Sequence, residues 1–263
     1  VVLGLVLFAN RGSEQAGRWW VTNLLGGSGS SIQPAEFAKV TITLYIAMWL
    51  ASKGDKLRQL SYGLIPFGIV LGLTDGLVAL QPNLSTAALI AAIALVMFWV
   101  AGADVLQLAA TAGIAVCGAV LSAMAYPYQM ERVTSFLHAD PLADATGAGY
   151  HSYHSLMSLI SGNLLGVGLG NSWHKRFFAY VAHTDAILAI TGEEFGLIGV
   201  LAILALFLAF AYRGVRIALK ASDSYGSILA IGLTSWIVLQ AAIHAAVVCR
   251  AIPFTGMPLP SVS

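Results

Sequence analysis

Three carboxylates, Asp185, Glu193 and Glu194, lie close together in one otherwise apolar stretch of this sequence. Ionisable groups are costly in a membrane helix, so each of them requires a partner, a watery cavity or a function. Asp185 stands at the beginning of the stretch, where a carboxylate that is ionised at the working pH can act as a general base. The alternative is a structural role, because Asp at a helix start caps free N–H groups and interacts favourably with the helix dipole.

Glu193 and Glu194 are adjacent, so they point in different directions, roughly 12 Å deeper than Asp185 by helical rise. We expect at least one of them to face the interior of a helix bundle. Gly192 and Gly196 flank the pair and would allow close helix packing there.

A second charged pair, Glu36 and Lys39, opens another apolar stretch directly after Pro34, a residue that suits the first turn of a helix. Residues three apart share one helix face. The pair either neutralises itself in a buried position or faces an outer cavity, where Lys39 would be available to an anionic ligand.

The composition indicates which elements position these residues. The chain is 58% hydrophobic and 10% charged, and its mean hydropathy is +0.82. An ordinary soluble domain is about 25% charged, so we predict an all-α, polytopic bundle of transmembrane helices. Cys117 and Cys249 are too far apart to form a metal-binding pattern. The first apolar run, Val1 to Ala9, is shorter than the about 20 residues that cross a bilayer, so we expect a fragment of a longer protein.

Apolar runs predict about six complete spans in a single, incomplete membrane domain over residues 1–263. Basic residues in the short connections after the first and fifth spans would make that side cytoplasmic, and residues 10–33, 127–185 and 250–263 would then lie outside. The short connections hold Lys53, Lys56, Arg58, Arg213, Arg216 and Lys220. The predicted spans are 34–51, 61–80, 84–101, 105–126, 186–211 and 227–249.

The predicted outer loop, 127–185, is too long to be a simple connection. It contains the glycine-rich run Gly166-Val167-Gly168-Leu169-Gly170-Asn171. A nucleotide site would need a strand before such a run and a helix after it, and neither fits. The segment either packs on the bundle as a re-entrant turn or lines a cavity with its backbone.

Taken together, these segments resemble the SEDS family (shape, elongation, division and sporulation), the FtsW/RodA/SpoVE-like proteins. Matching motifs occur in the family's order across nearly the whole chain. They are Gly17-Arg18-Trp19, Gln33-Pro34-Ala35-Glu36-Phe37-Ala38-Lys39, Leu80-Gln81-Pro82-Asn83-Leu84-Ser85-Thr86-Ala87, Gly166-Val167-Gly168-Leu169-Gly170-Asn171-Ser172, Ala182-His183-Thr184-Asp185, Gly192-Glu193-Glu194-Phe195-Gly196-Leu197-Ile198-Gly199 and Pro253-Phe254-Thr255-Gly256-Met257-Pro258-Leu259-Pro260.

The resemblance implies a peptidoglycan glycosyltransferase of the bacterial cytoplasmic membrane, which polymerises lipid II for cell division or elongation. Asp185 matches the family's essential acidic position and would be the general base. Lys39, Arg18 or Arg132 would hold the pyrophosphate, and a divalent cation (Mg²⁺ or Mn²⁺) would assist in the same way. The expected partner is a class B penicillin-binding protein. Further residues assigned by the resemblance to substrate binding are Glu36, Trp19, Gln81, His183, Thr184 and Glu193.

The sequence departs from the family pattern at several points. Tyr180-Val181 stand where the family usually has Pro-Glu, so that carboxylate is absent, and Asn83 replaces a usual Asp. Two other functions remain open. A lipid II flippase would use the same charges to bind a pyrophosphate headgroup, and a non-catalytic scaffold would organise the cell-wall machinery through helix contacts.

Overall fold

The computed structural model describes residues 20–21, 31–32, 34–80, 83–137, 149–178 and 185–260. Helices dominate this part of the chain, as predicted. Two short strands, β1 (Trp20–Val21) and β2 (Ser31–Ile32), pair antiparallel. The α-helices are α1 (Pro34–Lys53), α2 (Leu64–Ala79), α3 (Leu84–Val100), α4 (Val105–Ala125), α5 (Pro127–Leu137), α6 (Tyr150–Gly162), α7 (Lys175–Phe178), α8 (Ile187–Lys220) and α9 (Ser224–Val248).

Each predicted span coincides with one helix. Among the described residues, α4, α8 and α9 are long and apolar enough to cross a membrane, and α2 and α3 are shorter apolar helices. Leu106, Ile114 and Leu121 of α4 are largely exposed. Exposure of these apolar side chains to water would be unfavourable, so this face of α4 is suited to contact lipid chains or further helices. The chain is therefore a membrane protein.

Two sequence predictions are corrected by the structure. Arg213, Arg216 and Lys220 were expected in a connection after residue 211, but α8 continues through all three and ends at Lys220. The predicted outer loop 127–185 is not a plain loop, because it contains α5, α6 and α7. A short connection, residues 101–104, joins α3 to α4.

The chain packs as two compact units. The first comprises Val1–Ser122 and Gly214–Trp236. Within it, α3 packs against α1 and α2, and the rings of Phe67 and Phe98 stack with centroids 4.3 Å apart. Both rings are buried. Burying a Phe side chain contributes about 1.5–3 kcal/mol, so this contact fixes the helices against each other.

The second unit comprises Ala123–Arg213 and Ile237–Ser263. Its core joins the first turns of α8 to α9 and to the segment that follows α9. Leu188, Ala189 and Leu259 are among its fully buried side chains. This core fixes the start of α8, where Asp185 lies.

Helix α8 breaks at Gly196, where φ is +71° and ψ is −169°. A break inside a membrane helix frees backbone groups that lipid cannot satisfy. Here the segment 163–168 satisfies them. Leu197 N donates to Asn163 O (2.9 Å), Ile198 N to Leu164 O (3.3 Å), Val167 N to Glu193 O (2.9 Å) and Gly168 N to Glu194 O (3.1 Å). The glycine-rich segment is therefore packed on α8.

Candidate functional site

Asp185 lies immediately before α8, and it is half-buried. The next residue, Ala186, accepts the first hydrogen bond of the helix from the N–H of Ile190, at 3.0 Å. Asp185 therefore stands at the helix N-terminus, where the partial positive charge of the helix dipole favours a carboxylate. This placement serves both predicted roles, helix capping and general base.

The segment 253–260 is held over α9 by two side chains of that helix. Gln240 Nε2 donates to the carbonyl of Pro258 at 2.9 Å. His244 Nδ1 lies 2.9 Å from the carbonyl of Met257, so this nitrogen carries the proton and donates it. The two residues are four apart and share one helix face. Together they fix the backbone of the segment.

The same segment brings Gly256 against Asp185. A β-carbon built on Gly256 would stand 3.5 Å from Asp185 Oδ2. Gly256 has φ of +62°, a left-handed conformation that glycine adopts without strain. The backbone next to the carboxylate is therefore fixed by α9 and has a left-handed conformation that favours glycine.

Arg132 of α5 adds a cation to this region. Its Nη1 donates to the carbonyl of Phe254 at 3.2 Å, and its guanidinium carbon lies 5.1 Å from the centroid of the Phe254 ring. The imidazole of His151, from α6, stacks on the same ring with centroids 5.1 Å apart and planes 11° apart. These contacts fix the guanidinium and the imidazole relative to the 253–260 segment.

His151 links Arg132 electrostatically to Asp185. Burial lowers the pKa of His151, and the Arg132 charge lowers it further, whereas the negative charge of Asp185 acts in the opposite direction. A neutral imidazole can accept or donate a hydrogen bond beside the carboxylate. The second unit thus assembles a carboxylate, a neutral imidazole and a guanidinium around one backbone segment.

Glu193 is buried in the second unit, which confirms that one of the two adjacent glutamates faces inward. Its carboxylate accepts hydrogen bonds from the hydroxyls of Ser158 and Ser172, from the N–H of Trp173 and from His174, whose Nδ1 is 2.9 Å away. Both oxygens are engaged by these protein groups. Its role in substrate binding stays a prediction, and the structure gives it a second role, that of anchoring the segment before α7 to α8.

Glu36 and Lys39 lie in the first unit, in the first turns of α1. Lys39 Nζ is 2.7 Å from Glu36 Oε2, and Lys39 is buried whereas the Glu36 side chain is 41% exposed. Lys39 Nζ also lies 5.1 Å from the ring centroid of Trp236. Glu36 therefore neutralises the buried ammonium group of Lys39, and the Glu36 side chain reaches the surface. Contact of Lys39 with an anionic ligand stays a prediction.

Five of the predicted site residues, namely Arg18, Trp19, Gln81, His183 and Thr184, lie outside the described residues. Of the others, Asp185, Arg132 and Glu193 belong to the second unit, and Glu36 and Lys39 belong to the first.

The sequence interpretation missed His151, His244 and Phe254. His244 and Gln240 carried a usable signal, because polar side chains four apart in an apolar span rarely occur without a partner. His151 carried none, and Phe254 stood in a family motif without an assigned role, since only the fold brings α6 and the 253–260 segment together.

A metal site receives no support from the side chains. In the described ranges, no group of three or more His, Cys, Asp or Glu residues is arranged to hold a metal ion. Arg132 brings positive charge to the same region, which a carboxylate metal site would not favour. The divalent cation stays a prediction, and no step below depends on it.

Comparison with known proteins agrees with this architecture. The sequence model of the FtsW, RodA and SpoVE proteins, described as cell cycle proteins, matches residues 1–263. The chain belongs to the FtsW/RodA/SpoVE family. Two relatives illustrate the similarity within this family. The chain is 37% identical to the probable peptidoglycan glycosyltransferase FtsW of Geobacter sp. (strain M18), over 89% of the chain and 64% of the relative. It is 37% identical to the stage V sporulation protein E of Bacillus subtilis (strain 168), over 100% of the chain and 70% of the relative.

Solved structures of FtsW/RodA/SpoVE-like architecture superpose on the chain. One comes from a study of how a peptidoglycan synthase complex coordinates polymerization and crosslinking. It has a TM-score of 0.74 at 25% identity, and the match covers 100% of this chain and 71% of the chain in that structure. The rod shape determining protein RodA of Thermus thermophilus has a TM-score of 0.64 at 23% identity, over 100% of the chain and 67% of its own, and shows the fold alone. The chain thus spans about two thirds of the length of these relatives.

Proposed function

We propose that this protein is a peptidoglycan glycosyltransferase that polymerises lipid II into glycan strands, with Asp185 as its general base. The observation that carries the proposal is the grouping of Asp185, His151 and Arg132 around the 253–260 segment. A carboxylate beside a fixed guanidinium suits a reaction that removes a proton and releases an anion. The names of FtsW relatives point to the same activity.

The reaction begins at the acceptor sugar. Asp185 takes the proton from the 4-hydroxyl of the acceptor GlcNAc while the oxygen of that hydroxyl attacks the anomeric carbon of the donor MurNAc. The bond between that carbon and the diphosphate oxygen breaks, and the electron pair leaves with undecaprenyl pyrophosphate. Attack from the side opposite the leaving group inverts the anomeric configuration. His151, neutral and held on Phe254, is placed to exchange hydrogen bonds with sugar hydroxyls beside the base.

Negative charge develops on the diphosphate as it departs, and cations stabilise it. Arg132 is the candidate for this role in the second unit, because Phe254 holds its guanidinium in one orientation. Lys39 and Arg18 remain the other candidates that the family resemblance implies. Gly256 places the backbone of the 253–260 segment beside the carboxylate.

Membership of the FtsW/RodA/SpoVE family supports the proposed setting. We place the protein in the bacterial cytoplasmic membrane with its site on the outer surface, where lipid-linked precursors are polymerised. The proposed partner is a class B penicillin-binding protein, whose transpeptidase would crosslink the new strand. The solved relative from a peptidoglycan synthase complex supports a role beside a crosslinking enzyme.

The test is polymerisation of fluorescent lipid II by the protein reconstituted with its partner. Asp185→Asn keeps the size of the side chain but removes the base. We expect glycan strands from the wild type and a rate at least about 100-fold lower from the variant, the usual range for loss of a general base. Asp104→Asn is the matched control, since Asp104 is exposed and lies in the short connection between α3 and α4.

The outcomes separate the three functions. Equal strand yields from the wild type and a folded Asp185→Asn protein would remove Asp185 from the chemistry and return it to helix capping. Lipid II bound but never polymerised, with transport across vesicles retained, would identify a flippase. A scaffold would show neither polymerisation nor transport, and its cellular function would survive the substitution.

A further inference from the structure

A small crevice in the second unit joins two arginines. Arg132 and Arg250 line it together with the serines Ser135 and Ser152 and the ring of Phe254. Its volume is about 10 Å³, which is the space that one water-sized oxygen atom fills. Two arginines and two serines among its lining residues give it a composition that suits an oxyanion.

The backbone at Arg250 gives the second observation. Arg250 follows α9 with φ of +54°. Its N–H donates to the carbonyl of Val247 at 2.9 Å, and the N–H of Ala251 donates to that of Ala246 at 2.7 Å. This is the Schellman ending of a helix, in which the left-handed position is usually glycine because a β-carbon is strained there. The chain instead carries an arginine that reaches the crevice.

Neighbouring residues of the 253–260 segment and their contacts connect the crevice to the proposed general base. Phe254, which Arg132 covers, is two residues from Gly256, and Gly256 approaches the Asp185 carboxylate. His151 stacks on Phe254 and responds to the charges of both Arg132 and Asp185. In an inverting transfer the base and the departing anion lie on opposite sides of the anomeric carbon, so neighbouring but separate sites are required.

We propose that the crevice between Arg132 and Arg250 binds a phosphoryl oxygen of the polyprenyl diphosphate that leaves the donor. This assignment rests on the proposed function, and it adds Arg250 as a second binding residue for the same reaction. Two guanidinium groups on one diphosphate would neutralise the charge that develops when the bond to the anomeric carbon breaks. The proposed role would explain why an arginine, which lines the crevice, occupies a strained backbone position.

The test measures equilibrium binding rather than turnover. The reconstituted protein in nanodiscs of phosphatidylcholine is titrated with undecaprenyl pyrophosphate, and undecaprenol serves as the uncharged probe. The central variant is Arg250→Gly, because glycine relieves the strain at φ +54° while it removes the guanidinium. We expect its melting temperature to equal or exceed that of the wild type and its Kd for the diphosphate to rise about tenfold. Binding of undecaprenol should not change.

Arg176→Gln is the matched control for loss of one positive charge. Arg176 is exposed in the same unit, with its guanidinium carbon 4.6 Å from the ring centroid of Trp173. Its Kd for the diphosphate should equal that of the wild type. A stable Arg250→Gly protein that binds the diphosphate as tightly as the wild type would overturn the proposal, and so would an equal loss in Arg176→Gln.

Two further arms identify the source of the phosphoryl group and separate this proposal from the enzymatic one. Phosphatidylglycerol added to the nanodiscs should not displace the diphosphate, and equal competition would overturn the assignment in favour of a phospholipid headgroup. Wild-type protein that binds the diphosphate through Arg250 but forms no strands would refute the polymerase and leave the anion site intact.

Discussion

Gly256 lies against the carboxylate of Asp185, where an added β-carbon would stand 3.5 Å from Oδ2. Gly256→Ala therefore places a methyl group beside the proposed base and strains a backbone with φ of +62°. A left-handed conformation costs a non-glycine residue about 1–2 kcal/mol. We expect the segment 253–260 to shift, and polymerisation to fall about tenfold or more with a small change in melting temperature.

The control for this effect is Gly170→Ala. Gly170 has φ of +78°, but a β-carbon there would meet nothing within 4 Å. It should therefore cost similar backbone strain without touching the carboxylate, and polymerisation should stay near the wild-type rate. If both variants lost activity equally, the contact with Asp185 would have no special role.

Glu193 anchors the segment before α7 to α8, so its removal should affect stability before chemistry. Glu193→Ala would leave the buried hydroxyl of Ser172 and the His174 ring without their acceptor, whereas the Ser158 hydroxyl would keep the carbonyl of Ala189. Loss of such a buried acceptor costs about 1–3 kcal/mol for each unsatisfied group. We expect a clear drop in the apparent melting temperature in detergent, and a smaller drop for Glu193→Gln, which retains one acceptor oxygen.

Glu194→Gln is the matched control, because in the described part of the chain no hydrogen bond to the Glu194 carboxylate is present. It should melt near the wild type. The predicted substrate role of Glu193 would instead appear as a Glu193→Gln protein that melts normally but has a raised KM for lipid II.

The break in α8 depends on Gly196. A β-carbon at Gly196 would lie 2.4 Å from Leu164 O and 2.5 Å from Gly166 N, both backbone atoms. The φ of +71° also strains any residue other than glycine. Gly196→Ala should therefore displace the segment 163–168 and strongly lower the yield of folded protein. Gly118→Ala in α4 meets nothing within 4 Å, and it should be neutral or stabilise by up to about 1 kcal/mol. Equal folding yields for both variants would contradict the role given to the break.

Comparison of the helix α4 with the break in α8 shows how far the sequence was sufficient. The span 105–126 was predicted within one residue of Val105–Ala125, because a long apolar run in a membrane must satisfy its own backbone hydrogen bonds as a helix. The break at Gly196 could not be predicted, because the apolar run continues on both sides of it. Its stability comes from Asn163 and Leu164, more than 30 residues earlier in the chain.

The candidate site divides in the same way. Asp185 was identified from its charge at the edge of an apolar run and from the family motif. Arg132 was named as one of three basic residues that could hold the pyrophosphate, without its contact to Phe254. His151 and Arg250 could be recognised as site residues only from the stacking of His151 on Phe254 and the backbone conformation of Arg250. Residue type and order were therefore sufficient for the proposed base, but the groups around it depend on contacts between distant segments.

The histidines of α6 should make stability depend on pH. Burial lowers the pKa of His151, with Arg132 adding to it and Asp185 opposing it. Burial also lowers the pKa of His154, with His174 and His151 adding to it. The unfolded chain, with a His pKa of about 6.5, then binds more protons than the folded chain below that pH. Stability is therefore full above about pH 6.5 and decreases as the pH falls through the lowered folded pKa values.

Replacement of both histidines tests this directly, since glutamine cannot titrate. We expect the melting temperature of His151→Gln/His154→Gln to fall less than that of the wild type between about pH 7.5 and pH 5. Lys175→Gln, which removes an exposed positive charge from the same unit, should follow the wild-type pH profile. A double variant with an unchanged pH profile would show that other groups cause the acid sensitivity. A profile that steepened would mean that the two histidines are protonated in the folded protein.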